Sequence, residues 1–94
     1  MPAIAVKGSV GSGHGSFPPR ASVMGDPLVT INGVPVQVQG DVFPTHTDGH
    51  TAHPGTAISG HAYITVNGKG VCAVGDAISC GSVIVSGDAT VTVA

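Results

Sequence analysis

The chain has 94 residues, three basic and five acidic side chains, and a formal net charge of −2. That length holds one small domain, residues 1–94. The dispersed cations Lys7, Arg20 and Lys69 exclude a nucleic-acid footprint, and 9% charged against 41% apolar residues excludes a disordered chain.

Fifteen Gly and seven Pro interrupt every helical periodicity, so the expected fold is all-β. With 3% aromatics and no Trp, the core must be built from Val, Ile and Ala, each burying little area. So thin a domain calls for a staple: a disulfide, a metal or a partner. Cys72 and Cys80 allow one disulfide at most. No apolar run approaches the ~20 residues of a membrane span.

In chain order, the N-terminus is too short for a signal peptide, and residues 3–6 read as a strand running into Gly8. His14 follows in a Gly-rich stretch, and Phe17-Pro18-Pro19 reads as a stiff loop covering one flank. Strands are expected at 28–31 and 34–38, around Asn32-Gly33, a two-residue turn whose residues tolerate positive φ. A long loop then carries His46, Asp48, His50 and His53. Strands follow at 63–66 and 71–74 around Asn67-Gly68, then at 83–85 and 90–93. Cys72 reads as a small buried hydrophobe. Gly25-Asp26, Gly40-Asp41 and Gly75-Asp76 read as turn punctuation, with Asp bonding nearby backbone.

The chain repeats itself. The segment from Ile31-Asn32-Gly33 to Gly40-Asp41 matches that from Val66-Asn67-Gly68 to Gly75-Asp76 at an offset of 35 residues. Upstream, the strands beginning at Gly25 and Gly60 align with a third beginning at Gly87. This third copy stops where its Asn-Gly turn would come, and residues 3–6 supply its return strand. The expectation is three short β-hairpin repeats around a pseudo-threefold axis, one split across adjacent termini.

The same alignment sorts the histidines. Counting from Gly8, Gly40 and Gly75, His14 and His46 lie six residues on and Cys80 five on. All three leave the same end of their repeats, and under threefold symmetry those ends meet. One more His completes a His₃Cys tetrahedron that suits zinc and leaves no open position; iron also accepts this donor set. The fourth ligand comes from the loop after His46. His53 is favoured over His50 because its separation lets the loop fold back and Pro54 stiffens it. His61 aligns with Asp26 and Asp88 and reads as a turn residue.

With these residues the chain resembles the PAAR-repeat proteins, small conical tips that cap the trimeric spikes of contractile phage tails and type VI secretion systems. The resemblance is carried by Val66-Asn67-Gly68-Lys69-Gly70-Val71-Cys72-Ala73-Val74-Gly75-Asp76, by its copy from Ile31 to Asp41, by Cys80-Gly81, and by Gly13-His14-Gly15-Ser16-Phe17-Pro18-Pro19-Arg20, which is similar to the opening of the phage-type subgroup. The literal Pro-Ala-Ala-Arg is replaced by Pro35-Val36-Gln37-Val38 and Gly70-Val71-Cys72-Ala73, and Lys7-Gly8-Ser9 lacks the corner Asp.

The resemblance implies a zinc-stapled cone with His14, His46, His53 and Cys80 on one structural zinc near the apex. It also implies a flat base that docks on a trimeric β-helical central spike, and a tip that touches a target outer membrane transiently as it pierces it. The chain would then be a non-enzymatic part of a virion's tail baseplate, or a cytoplasmic protein ejected through a secretion apparatus. The lack of room for a toxin domain favours a phage-derived or bare tip. Two other classes compete: a metal-binding adhesion or receptor-binding module, and a small zinc hydrolase with Asp48 near its metal. Against the hydrolase stands Cys80, which closes the coordination shell.

Overall fold

The computed structural model describes residues 2–15, 17–47, 49–58 and 60–93, with the side chains of Ala62 and Tyr63 excepted. Among these residues there is no helix, and the chain is an all-β globule measuring 38 × 23 × 23 Å. Its ten short strands are β1 (Ala3–Ile4), β2 (Val10–Gly11), β3 (Arg20–Ala21), β4 (Asp26–Ile31), β5 (Val34–Val36), β6 (Val42–Thr47), β7 (Ala52–Thr56), β8 (His61–Val66), β9 (Lys69–Val71) and β10 (Asp88–Thr92). They pair antiparallel as β1–β10, β2–β3, β4–β5, β6–β7 and β8–β9.

Three of these pairs share one register. Asp26, Thr30 and Ile31 face Val36, Pro35 and Val34 in β4–β5. His61, Thr65 and Val66 face Val71, Gly70 and Lys69 in β8–β9. In the third pair Asp88 and Thr92 face Ile4 and Ala3, so its two strands come from opposite ends of the chain. Asn32 and Asn67 sit at φ 52° and 53° and the following glycines at 82° and 76°, the doubly positive φ of a two-residue hairpin.

Beyond each hairpin the return strand leaves its partner and bonds to the other two. Ala5 N–H donates to Cys72 O at 2.9 Å, Cys72 N–H to Gln37 O at 2.9 Å, and Gln37 N–H to Ala5 O at 3.0 Å, closing a ring. A second set links Lys7 to Pro35, Gln39 to Gly70 and Val74 to Ala3 at 2.9–3.0 Å. This explains why the strands expected at 34–38 and 71–74 end as ladders at Val36 and Val71. Val38 and Ala73 make isolated bridges across the ring instead. The expected strand 83–85 is likewise reduced to single bridges at Val83 and Ile84.

The chain then turns at Gly8, Gly40 and Gly75, with φ of 94°, 96° and 99°. A Cβ there would meet nothing within 4 Å, so backbone conformation alone demands glycine. Asp41 Oδ2 accepts the Val38 N–H and Asp76 Oδ2 that of Ala73, both at 2.9 Å. At the corner without Asp, Ser9 Oγ accepts the Val6 N–H at 2.9 Å. The serine therefore does the same backbone capping with a shorter, neutral group. Asp26 opens β4 and bonds the Leu28 N–H at 3.0 Å, an Asx turn at a strand start. His61 opens β8 in the same way, so it is a strand residue rather than the expected turn residue; its Nε2 lies 3.6 Å from Asp76 Oδ2.

The core is two small clusters. Ile4, Val36, Val38, Val66, Val71, Ala73 and Val93 pack among the three like-registered hairpins. Ala5, Phe43, Ala57, Cys72, Ile78 and Ile84 form the second, with Cys80 against it. Cys72 is fully buried, as expected, and desolvation followed by the charges of Asp76 and Asp41 pushes its thiol up to about 12. It is not disulfide-bonded to Cys80.

Gln37 is 0% exposed, and among the described residues neither its Nε2 nor its Oε1 has a hydrogen-bond partner. An orphaned buried amide costs roughly 1–3 kcal/mol. Gln37→Met, similar in length but without the amide, is therefore expected to raise the urea midpoint at unchanged m-value. A lowered midpoint would contradict an unpaired amide.

Candidate metal centre

The second layer, reached after the Gly corners, carries the four candidate ligands. His14 lies in the loop between β2 and β3, where it exchanges two backbone hydrogen bonds with Phe17, at 3.1 and 2.9 Å, around Gly15 at φ 55°. His46 and His53 lie on β6 and β7 and face each other directly in the ladder. Cys80 lies in a tight turn closed by Ile78 N–H to Ser82 O at 2.8 Å and Gly81 N–H to Ile78 O at 3.0 Å.

The stretch after His46, expected as a long loop, is thus the turn and return strand of a hairpin that begins at Val42. This hairpin lacks hydrophobic alternation and carries Pro44 and Pro54, both unfavourable signals for a strand. Gly40 N–H to Ala57 O at 2.7 Å and Ala57 N–H to Asp41 O at 3.0 Å close its base, and tertiary bonds from Val23 N–H to Val42 O at 3.3 Å and Ser79 N–H to Thr56 O at 2.8 Å set it in place. The hairpin form matters for the site. It converts a seven-residue separation into a cross-strand pair, with both rings on one face.

The structure brings His14, His46, His53 and Cys80 into one group whose ligand atoms all lie within 4.8 Å of one another, a group that could hold a metal ion. The three Nε2 atoms are 3.2 Å (His14–His46), 3.0 Å (His14–His53) and 2.7 Å (His46–His53) apart. A tetrahedral ion with bonds of ~2.0–2.1 Å spaces its nitrogens by about 3.3 Å, so the rings already approach that spacing. His46 Nδ1 lies 2.8 Å from Pro18 O. A carbonyl can only accept, so Nδ1 carries the proton and Nε2 presents its lone pair to the group. His50 is exposed and stands outside the group. Asp48, considered as a general base, lies outside the described residues.

Two surroundings of the group were not legible as such in the sequence. The ring of Phe17, read only as part of a stiff flank, packs on all three imidazoles, with centroids 4.9 Å from His14, 4.9 Å from His46 and 4.4 Å from His53. Arg20 places Nη2 3.1 Å from Cys80 Sγ. Burial alone would push the Cys80 thiol up, but hydrogen bonds from Ser82 and Arg20 and the guanidinium charge outweigh it and hold the thiol below its ordinary range. Thiolate is the form that ligates metals. The approach needs Gly55: a Cβ there would lie 2.6 Å from Arg20 Nη2 and 3.1 Å from Cys80 Sγ. The one signal for Arg20 was its place in the segment that also holds His14 and Phe17.

Comparison of two histidine variants checks the group. His53→Ala is expected to lose most of the metal carried per chain by protein purified without chelators. His50→Ala should retain it within about 10%, since an exposed residue outside the group supplies no bond. Equal losses in elemental analysis would remove His53 from the set.

No protein-family model matches the chain, and a search of the curated proteins finds no match either.

Proposed function

We propose that this chain is a structural spike tip: a small cone stapled by one zinc ion on His14, His46, His53 and Cys80, seated by its opposite face on a trimeric β-helical spike. The observation that carries the reading is the closed ring of backbone bonds through Ala5, Gln37 and Cys72. It joins three like-registered hairpins into one pseudo-threefold body, with the His/Cys group on one side of the ring. A monomer with threefold form can sit on a true threefold trimer, giving one tip per spike.

Two further features support it. Val29, Ile64 and Val91 occupy matching positions on β4, β8 and β10 and are 40%, 41% and 37% exposed. Three equivalent exposed aliphatics on the like-registered hairpins, a layer apart from the one that carries the His/Cys group, suit a partner that presents the same contact three times. Closed His₃Cys ligation, moreover, suits a structural rather than a hydrolytic metal, because no position is left for water. Zinc is the reading for the ion on donor type, with iron the competitor that elemental analysis separates. The mechanical role follows: the metal fixes three loops that have little apolar core of their own, so the apex resists deformation when the spike is driven through an outer membrane. On this reading the chain resides in a virion baseplate or passes from the cytoplasm through a secretion apparatus.

Native mass spectrometry of the chain mixed with the trimeric spike of the same particle tests the reading. One chain per trimer is expected, with binding lost on combining Val29→Asp, Ile64→Asp and Val91→Asp. Failure to bind while the chain remains folded and metal-loaded would overturn the tip assignment and leave the metal site standing.

A further inference from the structure

We infer that Arg20 is a positioning residue of the metal centre, a fork that holds the Cys80 sulfur in place and moderates its charge. The inference rests on the reading that the His/Cys group binds a metal. Arg20 stands on β3, at the end of the loop that carries His14. Its Nε donates to Pro44 O at 2.7 Å, two residues before His46. Its Nη2 donates to Cys80 Sγ at 3.1 Å. One planar side chain therefore joins all three ligand-bearing segments.

The rest of its surroundings fit that task. The guanidinium carbon lies over the Phe43 ring, 5.6 Å from its centroid, within the range of a cation–π contact. Among the described residues Nη1 is buried with no hydrogen-bond partner and no carboxylate pairs with Arg20; the polar contacts its guanidinium makes are those to Pro44 O and Cys80 Sγ. Gly55 leaves the space the fork occupies. Lysine could supply the charge but not two donors at a fixed angle, so it could not hold Pro44 O and Sγ together. A metal-bound thiolate that accepts a charged N–H donor gives up less electron density to the ion, and its lone pair is lowered in energy.

Cobalt(II)-loaded wild type, Arg20→Met and Arg20→Lys, with Cys80→Ser as the sulfur-free control, provide the test. In Arg20→Met the sulfur-to-cobalt charge-transfer band should move to lower energy, and zinc affinity, measured by competition with a chromogenic chelator, should fall by about 10–100-fold. Arg20→Lys should fall between it and wild type, and decides the matter if Arg20→Met does not fold. A merely structural role would lower the melting temperature and leave the band energy unmoved. A band at the wild-type energy with affinity within roughly twofold would overturn the role of Arg20 and leave the site intact. Absence of any sulfur-to-cobalt band in wild type would overturn both readings.

Discussion

Stripping the metal from loaded protein with a strong chelator is expected to lower its melting temperature by at least about 20 °C. Structural zinc supplies roughly 10 kcal/mol or more of apparent folding free energy in small domains, and each kcal/mol moves the midpoint of a chain this size by about 4–8 °C. The hairpin, loop and turn that carry His46 and His53, His14, and Cys80 have one small apolar cluster beneath them, with Phe43 its largest member. Nothing of comparable strength remains to hold them once the ligands are released. Cys80→Ser should reproduce most of the effect without a chelator, because the thiolate is the one charged ligand in the set. In the metal-free protein Cys80 adds a pH dependence of known sign. Its folded pKa lies below the ordinary 9.0, so its contribution is complete above that value and is lost as pH falls through the folded one. An unchanged melting curve after verified metal loss would refute the staple.

Phe43→Ala is expected to cost about 3–5 kcal/mol, the usual loss for emptying a buried aromatic site. The ring is fully buried and is the largest fully buried side chain among the described residues. It packs with Ile78, Ile84, Ala57 and Cys72, and the Arg20 guanidinium lies over it. In a core otherwise made of Val, Ile and Ala, no neighbour is large enough to collapse into the cavity. Phe43→Leu should lose clearly less, since it restores most of the volume. Chemical denaturation at fixed metal occupancy gives the comparison. A loss below about 1 kcal/mol for Phe43→Ala would mean that the metal-side layer is held by its ligands and backbone bonds alone.

The all-β character was legible from the fifteen Gly, seven Pro and alternating apolar residues, and both Asn-Gly hairpins formed where their turn chemistry placed them. The offset of 35 residues is matched by the shared register of β4–β5 and β8–β9. Residue spacing from Gly8, Gly40 and Gly75 was enough to nominate His14, His46 and Cys80, and the structure draws these together with His53. These features are local or periodic, so they depend on turn conformations and side-chain spacing that a linear chain carries in itself.

Tertiary contacts decided the rest. β6 and β7 have no alternation and contain Pro44 and Pro54; backbone bonds between Gly40, Asp41 and Ala57 close the base of their hairpin, bonds from Val23 to Val42 and from Ser79 to Thr56 tie it to neighbouring segments, and the pairing sets His53 opposite His46. Residues 37–38 and 72–74 look like continuations of their strands but leave their hairpin partners and bond to the two other return strands, because the ring offers each return strand two neighbours. Arg20 and Phe17 acquired their places beside the sulfur and the imidazoles only when loops from three parts of the chain converged. Turn chemistry and repeat spacing are thus determined by the sequence itself. Which ligand faces which, and what surrounds the sulfur, depend on distances between segments far apart in the chain, and only the closed fold sets those.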